Sequence, residues 1–210
     1  MPKNALGVVS WTGWDPRTGA RATPDATEAF ERSAPPFPSS ESRYELLAVA
    51  ARGFHPPQAL SAKVVTEIDD EDSDSDEDEF TGLREVWSVL YRQIAETAPA
   101  TERPYAIYLL GVNPPDDASK TDLTTFNDFY TNVHLVEVAE RRRALRAIRY
   151  ELIEEVKAPY LGAPQYLAVY EVDEESAAHR RHVGPPYSSG PEVWQRHTTP
   201  WRLWYRRLGK

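Results

Sequence analysis

The 210-residue chain contains no cysteine and a single methionine. Disulfides, cysteine-ligated zinc, iron–sulfur clusters and thiol nucleophiles are therefore excluded. No apolar run approaches the ~18 residues that a membrane-spanning helix needs. The opening Met1-Pro2-Lys3-Asn4 leads into a strand-like segment without the apolar stretch of a signal peptide. A soluble, cytoplasmic protein is the expectation. A basic surplus is missing as well. Nine of the 33 acidic residues lie in one run, Asp69 to Glu79, and the 24 that remain balance the 24 Lys and Arg. With no basic face in excess, neither nucleic acid nor a membrane is an expected partner.

What is present is a chain with 18 prolines, 11% aromatic residues and 40% hydrophobic residues, enough for a core joined by stiff loops. The first half reads as a strand over 5–11, a short helix from Thr23-Pro24-Asp25, and strands over 44–51 and 62–68. Leu83, Val86, Trp87, Leu90, Tyr91 and Ile94 recur at three- and four-residue spacing, which predicts a helix over 81–96. The second half reads as a strand (105–112), a helix (122–141, N-cap Thr121), strands over 144–156 and 165–172, a short helix (174–182) and a last strand (198–208). The order β-α-β-β-α-β is the ferredoxin-like plan. The expected fold is α+β: two ferredoxin-like halves, 1–100 degenerate and 103–210 complete, packed sheet to sheet so that a barrel closes within one monomeric chain, an internal pseudo-dimer.

Four motifs carry a resemblance. Phe126-Asn127-Asp128-Phe129-Tyr130-Thr131-Asn132-Val133-His134-Leu135 resembles the F-x-x-W/F-Y-x-x-x-H-[LI] helix of EthD-like proteins of the dimeric α/β-barrel superfamily. Arg146-Ala147-Ile148-Arg149-Tyr150-Glu151, Tyr166-Leu167-Ala168-Val169-Tyr170-Glu171 and Thr199-Pro200-Trp201 resemble the strands that follow in that family. Val136 stands where the family often has proline, and the first half carries no matching helix or histidine. The resemblance implies a pocket for a small apolar molecule. It leaves the reaction open among cyclases, decarboxylases, monooxygenases, isomerases and accessory proteins.

Spacing places Phe126, Tyr130 and His134 on one helix face, at i, i+4 steps. Tyr130 and His134 offer hydrogen bonds, and histidine also exchanges protons near neutrality. They are the candidate catalytic groups, with Arg149, whose guanidinium binds a substrate carbonyl or carboxylate or else pairs with Glu151 or Glu171. Phe126, Phe129, Tyr108, Tyr150, Tyr170 and Trp201 are candidate substrate-binding residues; Tyr166 is an alternative to Tyr170. The loop before the last strand, with Trp194 and His197, is a candidate lid. His179 and His182, with Glu175 in reach, read as a solvated loop, so no metal is expected. No cofactor motif is present and no cofactor is expected.

These residues point to a cofactor-independent biosynthetic enzyme that cyclises or rearranges an apolar polyketide- or terpene-derived substrate, a [4+2] ring closure included. A non-catalytic small-molecule binding protein is the rival. The acidic run holds no apolar residue in eleven positions, so it cannot bury surface. Deleting 69–79 is expected to leave folding and activity nearly unchanged; a deletion variant that folds but loses all activity would give the run a role.

Overall fold

Apolar and aromatic residues recur along eight stretches of the described residues, and each forms a strand. The computed structural model describes residues 7–16, 41–49, 56–65, 83–99, 102–157, 162–179 and 186–208. The strands are β1 (Val8–Pro16), β2 (Glu41–Val49), β3 (Ala59–Val65), β4 (Leu83–Glu96), β5 (Ala106–Asn113), β6 (Arg146–Lys157), β7 (Tyr166–Val172) and β8 (Thr198–Arg207). They form one closed barrel in the order β1-β3-β2-β8-β5-β7-β6-β4. Every pairing is antiparallel.

The tandem ferredoxin-like α+β fold, and with it the dimeric α/β-barrel type, is thereby corrected. The molecule is mostly sheet: a single all-antiparallel ring with few helices among the described residues. Element order along the chain does not report which strands pair around a single ring. Closure depends on the long-range seams β2·β8 and β4·β6, which leave no strand edge unpaired.

The helix expected over 81–96 is strand β4. Trp87, Val89 and Tyr91 are buried in the barrel interior, which is a period of two. Val86, Leu90 and Ile94 are only half-buried on the other positions, and together the two sets mimic a helical stripe. Three register shifts against β6 bend the strand further from strict alternation. The expected helix from Thr23 and the acidic run 69–79 lie outside the described residues.

The barrel interior is aromatic. Trp11 meets Tyr150 edge to face at 6.2 Å, and Trp87 meets Trp201 at 4.8 Å. Tyr91 donates its hydroxyl to Pro164 O at 2.6 Å and Tyr205 to Pro57 O at 3.0 Å, so these buried phenols end on backbone carbonyls.

Strands β5 and β7 are largely apolar on both faces, and β6 and β8 over part of their length. Ile107, Leu109, Ile148, Leu167, Val169, Leu203 and their neighbours point inward. Ala106, Tyr108, Leu110, Ala147, Ala168, Tyr170 and Trp204 point outward, beneath a helical rod. The rod runs through α1 (Lys120–Phe129), a π-turn (Tyr130–His134) and α2 (Leu135–Arg141). It starts two residues before Thr121 would have capped it. Ser119 is the N-cap, in a capping box with Asp122. Two short helices follow, α3 (Glu174–Ala178) and α4 (Glu192–Gln195). Among the described residues no helix is long and apolar enough to cross a membrane.

Gly13 faces Trp87 across the β1–β4 ladder, and a Cβ on it would lie 1.9 Å from Trp87 Nε1. The indole therefore uses the space that a side chain would fill. Gly13→Ala is expected to push Trp87 off Trp201 and to destabilise the fold by about 1–3 kcal/mol, the usual cost of overpacking. An unchanged denaturation midpoint would show that the ring moves freely.

Candidate active site between the helical rod and the barrel

The site is built where small residues on the sheet leave room under the rod. Ala147 and Ala168 lie on neighbouring strands, and Arg149 pairs in register with Ala168. Alternation along β6 sends Arg149 outward with Ala147, while Ile148 and Tyr150 enter the barrel interior. Tyr108 pairs in register with Tyr170, and also with Trp204 on the other side. Their rings pack at 5.8 Å and 4.9 Å.

From the rod, Phe126, Tyr130, His134 and Leu135 descend onto this surface, all buried. The π-turn, in which Leu135 N–H reaches Tyr130 O, adds a residue to the turn, and both His134 and Leu135 face inward. Phe126 packs against Tyr130 at 6.0 Å, and Tyr130 against His134 at 5.8 Å.

A strap over 186–197 covers this end. Trp194 of α4 touches Phe126, Phe129, Tyr130 and His134, at 4.6 Å from the imidazole. Tyr187 lies 5.2 Å from the same ring. Gly190 has a φ of +68°, and a Cβ there would press to 2.6 Å from the Phe129 ring. The strap is held by exposed contacts. Ser188 donates its N–H and hydroxyl to Glu137, Arg141 donates to Pro186 O at 2.9 Å, and Arg196 binds Asp117. Contacts of this kind contribute little each, on the order of 0–1 kcal/mol. His197 lies against Trp194 at 4.2 Å and donates Nδ1 to its carbonyl.

Arg149 is fully buried at 0% exposure. It pairs with neither Glu151 nor Glu171. Glu171 takes Arg146 in two bonds of 2.9 Å, and Glu151 takes Arg92. Arg149 instead donates Nη1 to Thr131 Oγ1 at 2.6 Å and to Asn127 O at 3.2 Å, and Nη2 to Asn127 Oδ1. Its Cζ lies 4.1 Å from the Tyr130 ring centre and 4.7 Å from that of Tyr166.

Besides Arg149 Nε, three polar atoms in this layer are buried and without a hydrogen-bond partner: Tyr130 Oη, Tyr170 Oη and His134 Nδ1. Burial pushes both phenols up, so they stay protonated donors. Burial also lowers His134 from 6.5 to about 4, with Glu137 opposing and His197 and Arg141 adding to the depression. The imidazole is therefore neutral at pH 7.

Of the candidate residues, Phe126, Phe129, Tyr130, His134, Arg149, Tyr108 and Tyr170 share the layer between rod and barrel. Tyr150 and Trp201 do not; both are buried inside the barrel. Tyr166 and Tyr170 need not compete, since four residues apart on a strand they share a face. Spacing gave no role to Asn127 and Thr131, one helical turn apart, which hold Arg149. Asn127 also donates Nδ2 to the Tyr166 hydroxyl at 3.0 Å. His179 is exposed and donates Nδ1 to Glu175 O at 2.8 Å; residues 180–185, with His182, lie outside the described residues. Compared with protein-family models and with curated proteins, the chain matches none.

The depressed His134 has a consequence for stability. In the unfolded chain the imidazole binds a proton at an ordinary 6.5; in the folded one it does so only at about 4. The unfolded state thus holds more protons between these values, and stability falls as pH drops through that window. The loss is on the order of 3 kcal/mol when complete. Denaturant unfolding from pH 7 to 4.5 should show this slope, and His134→Phe should remove most of it. Identical slopes in both proteins would mean that the imidazole is not held neutral by burial.

Proposed function

We propose that the chain is a cofactor-independent enzyme that cyclises or rearranges an apolar, carbonyl-bearing small molecule of polyketide or terpene origin. In this reading it acts as a monomer, which closure of the barrel within one chain supports. The observation that carries this reading is the set of three partnerless polar atoms, Tyr130 Oη, Tyr170 Oη and His134 Nδ1, within one aromatic layer. A buried hydroxyl left unpaired costs about 1–3 kcal/mol. A substrate oxygen entering the layer would accept the bonds that are missing, and the aromatic walls Phe126, Phe129 and Trp194 suit an apolar skeleton. The likeness of this rod and of β6, β7 and β8 to EthD-like motifs supports the same reading.

The donors then polarise the carbonyl and stabilise charge that develops on its oxygen. The walls hold a flexible chain folded, which removes part of the entropy cost of ring closure. An intramolecular [4+2] addition of a diene to an enone needs little more. Because His134 is neutral at pH 7, it serves this mechanism as a donor rather than as a cation, and a proton-transfer route is less well supported.

The test is a linear polyene ketone carrying a diene and an enone, followed by mass-resolved chromatography. The expected product is cyclised and of unchanged mass. Tyr130→Phe, Tyr170→Phe and His134→Phe should fold and turn over roughly ten- to a thousandfold more slowly, equivalent to about 1.4 to 4 kcal/mol of transition-state stabilisation. The wild-type rate should be flat from about pH 5.5 to 8, as expected for neutral donors. Tight binding of a carbonyl dye such as prodan with no turnover of such ketones would make this a binding protein instead.

A further inference from the structure

The sequence leaves Arg149 either to reach substrate or to pair with Glu151 or Glu171. It lies instead behind Tyr130, fully buried, with its nitrogens turned to Asn127 and Thr131. Every oxygen it binds is neutral, and its Nε has no partner. A cation in such a setting keeps most of its field, because no carboxylate bonds to it, Glu151 acts on it only as the weakest of several influences, and little water screens it. Two ring faces receive that field, Tyr130 at 4.1 Å and Tyr166 at 4.7 Å. They differ at the far end. The Tyr166 hydroxyl accepts a bond from Asn127 Nδ2, whereas the Tyr130 hydroxyl has no partner.

We propose that Arg149 is a positioning residue whose un-neutralised charge, set against the Tyr130 ring, strengthens the Tyr130 hydroxyl as a donor and fits the site to a ligand oxygen that carries or gains negative charge. The ligand class is an enolate, a phenolate or the oxyanion of a polarised carbonyl. This rests on the reading of Tyr130 as a donor to ligand. A positive charge near a phenol stabilises negative charge on its oxygen, and the same field strengthens the O–H as a donor. The other groups around Tyr130 are Phe126 and His134 on the rod, Trp194 in the strap, Tyr108 on β5, and Tyr166 and Tyr170 on β7. None of them is an anion at neutral pH. Burial raises the Tyr130 phenol, Arg149 is the first influence to oppose it, and Tyr108 adds to the rise.

A purely structural role is the competing explanation, since the same guanidinium ties rod to barrel. The experiment separates field from clamp. A ring-fluorinated tyrosine is placed at position 130 of the full chain and titrated by fluorine NMR. In parallel, binding of 4-nitrophenolate is compared with that of neutral 4-nitroanisole. In Arg149→Met the phenol should titrate about one unit or more higher, and the preference for the phenolate should fall roughly tenfold. Arg149→Lys keeps the charge but loses the planar fork, so it should restore both in part. Thr131→Val weakens the clamp and leaves the cation, so the titration should not move. An unchanged titration and phenolate preference in folded Arg149→Met would overturn the proposal. So would a shift in Thr131→Val as large as that in Arg149→Met. If Arg149→Met does not fold, Arg149→Lys decides: a smaller shift in the same direction supports the proposal, and none overturns it. Should wild type bind neither probe, the reading of Tyr130 as a ligand donor fails, while the titration still reports what Arg149 does to the phenol.

Discussion

Arg149 enters the layer between rod and barrel as a full positive charge, and the layer holds no carboxylate to meet it. Such a charge is tolerated only where hydrogen bonds and polarisable surfaces offset its lost hydration. Here the offset comes from a backbone carbonyl, an amide oxygen and a hydroxyl on one edge of the rod, and from two tyrosine faces. Asn127 and Thr131 stand one turn apart, so the fork of the guanidinium fixes the rotation of the rod about its axis. That rotation decides which residues look down on the sheet. Tyr130 and His134 lie inward because Arg149 holds the adjacent edge, and the strap then packs Trp194 against what the rod presents.

The room for this arrangement is made by small residues. Ala147 and Ala168 stand where larger side chains would lift the rod from β6 and β7. The large rings sit one step away, at Tyr166 and Tyr170 on β7 and Tyr108 on β5. Strands with apolar residues on both faces are what a sheet needs when one face fills a barrel and the other carries a helix. The same property made β5 and β7 legible as strands, since their runs are short, largely apolar and preceded by Pro104 and Pro164. It made β4 illegible, because Val86, Leu90 and Ile94 interleave with Trp87, Val89 and Tyr91 and satisfy a helical period as well as a strand's. Which strands join across the seams was illegible for another reason. The seams join Tyr44 to Arg207 and Glu96 to Ile148, and pairings so distant in sequence leave no local mark.

Within the site, the readable part was the local part. Four-residue spacing brought Phe126, Tyr130 and His134 to one face, and strand parity sent Arg149 and Tyr150 to opposite sides of the sheet. Parity applied to Tyr150 would have removed it from the list of pocket residues, since it must lie opposite its neighbour Arg149. The π-turn has no sequence signature of its own. Nor could spacing announce that Arg149 would choose Asn127 and Thr131 over Glu151 and Glu171. Arg146 and Arg92 hold the two carboxylates instead, the first pair largely buried and the second exposed.

Two groups of tyrosines in this protein are equally buried and differ in how their hydroxyls end. Tyr91 and Tyr205, inside the barrel, reach the carbonyls of Pro164 and Pro57. Tyr130 and Tyr170, beneath the rod, reach nothing. In a layer that served packing alone, phenylalanine at both positions would keep the ring contacts and shed the desolvation cost of two idle hydroxyls. The imidazole of His134 adds a third idle group to the same few side chains, held neutral by its burial. The layer is thus built from neutral donors around one hidden cation, with an aromatic strap above and no acid among them. Stability gains nothing from that pattern, whereas binding an electron-rich oxygen on an apolar molecule would use every part of it.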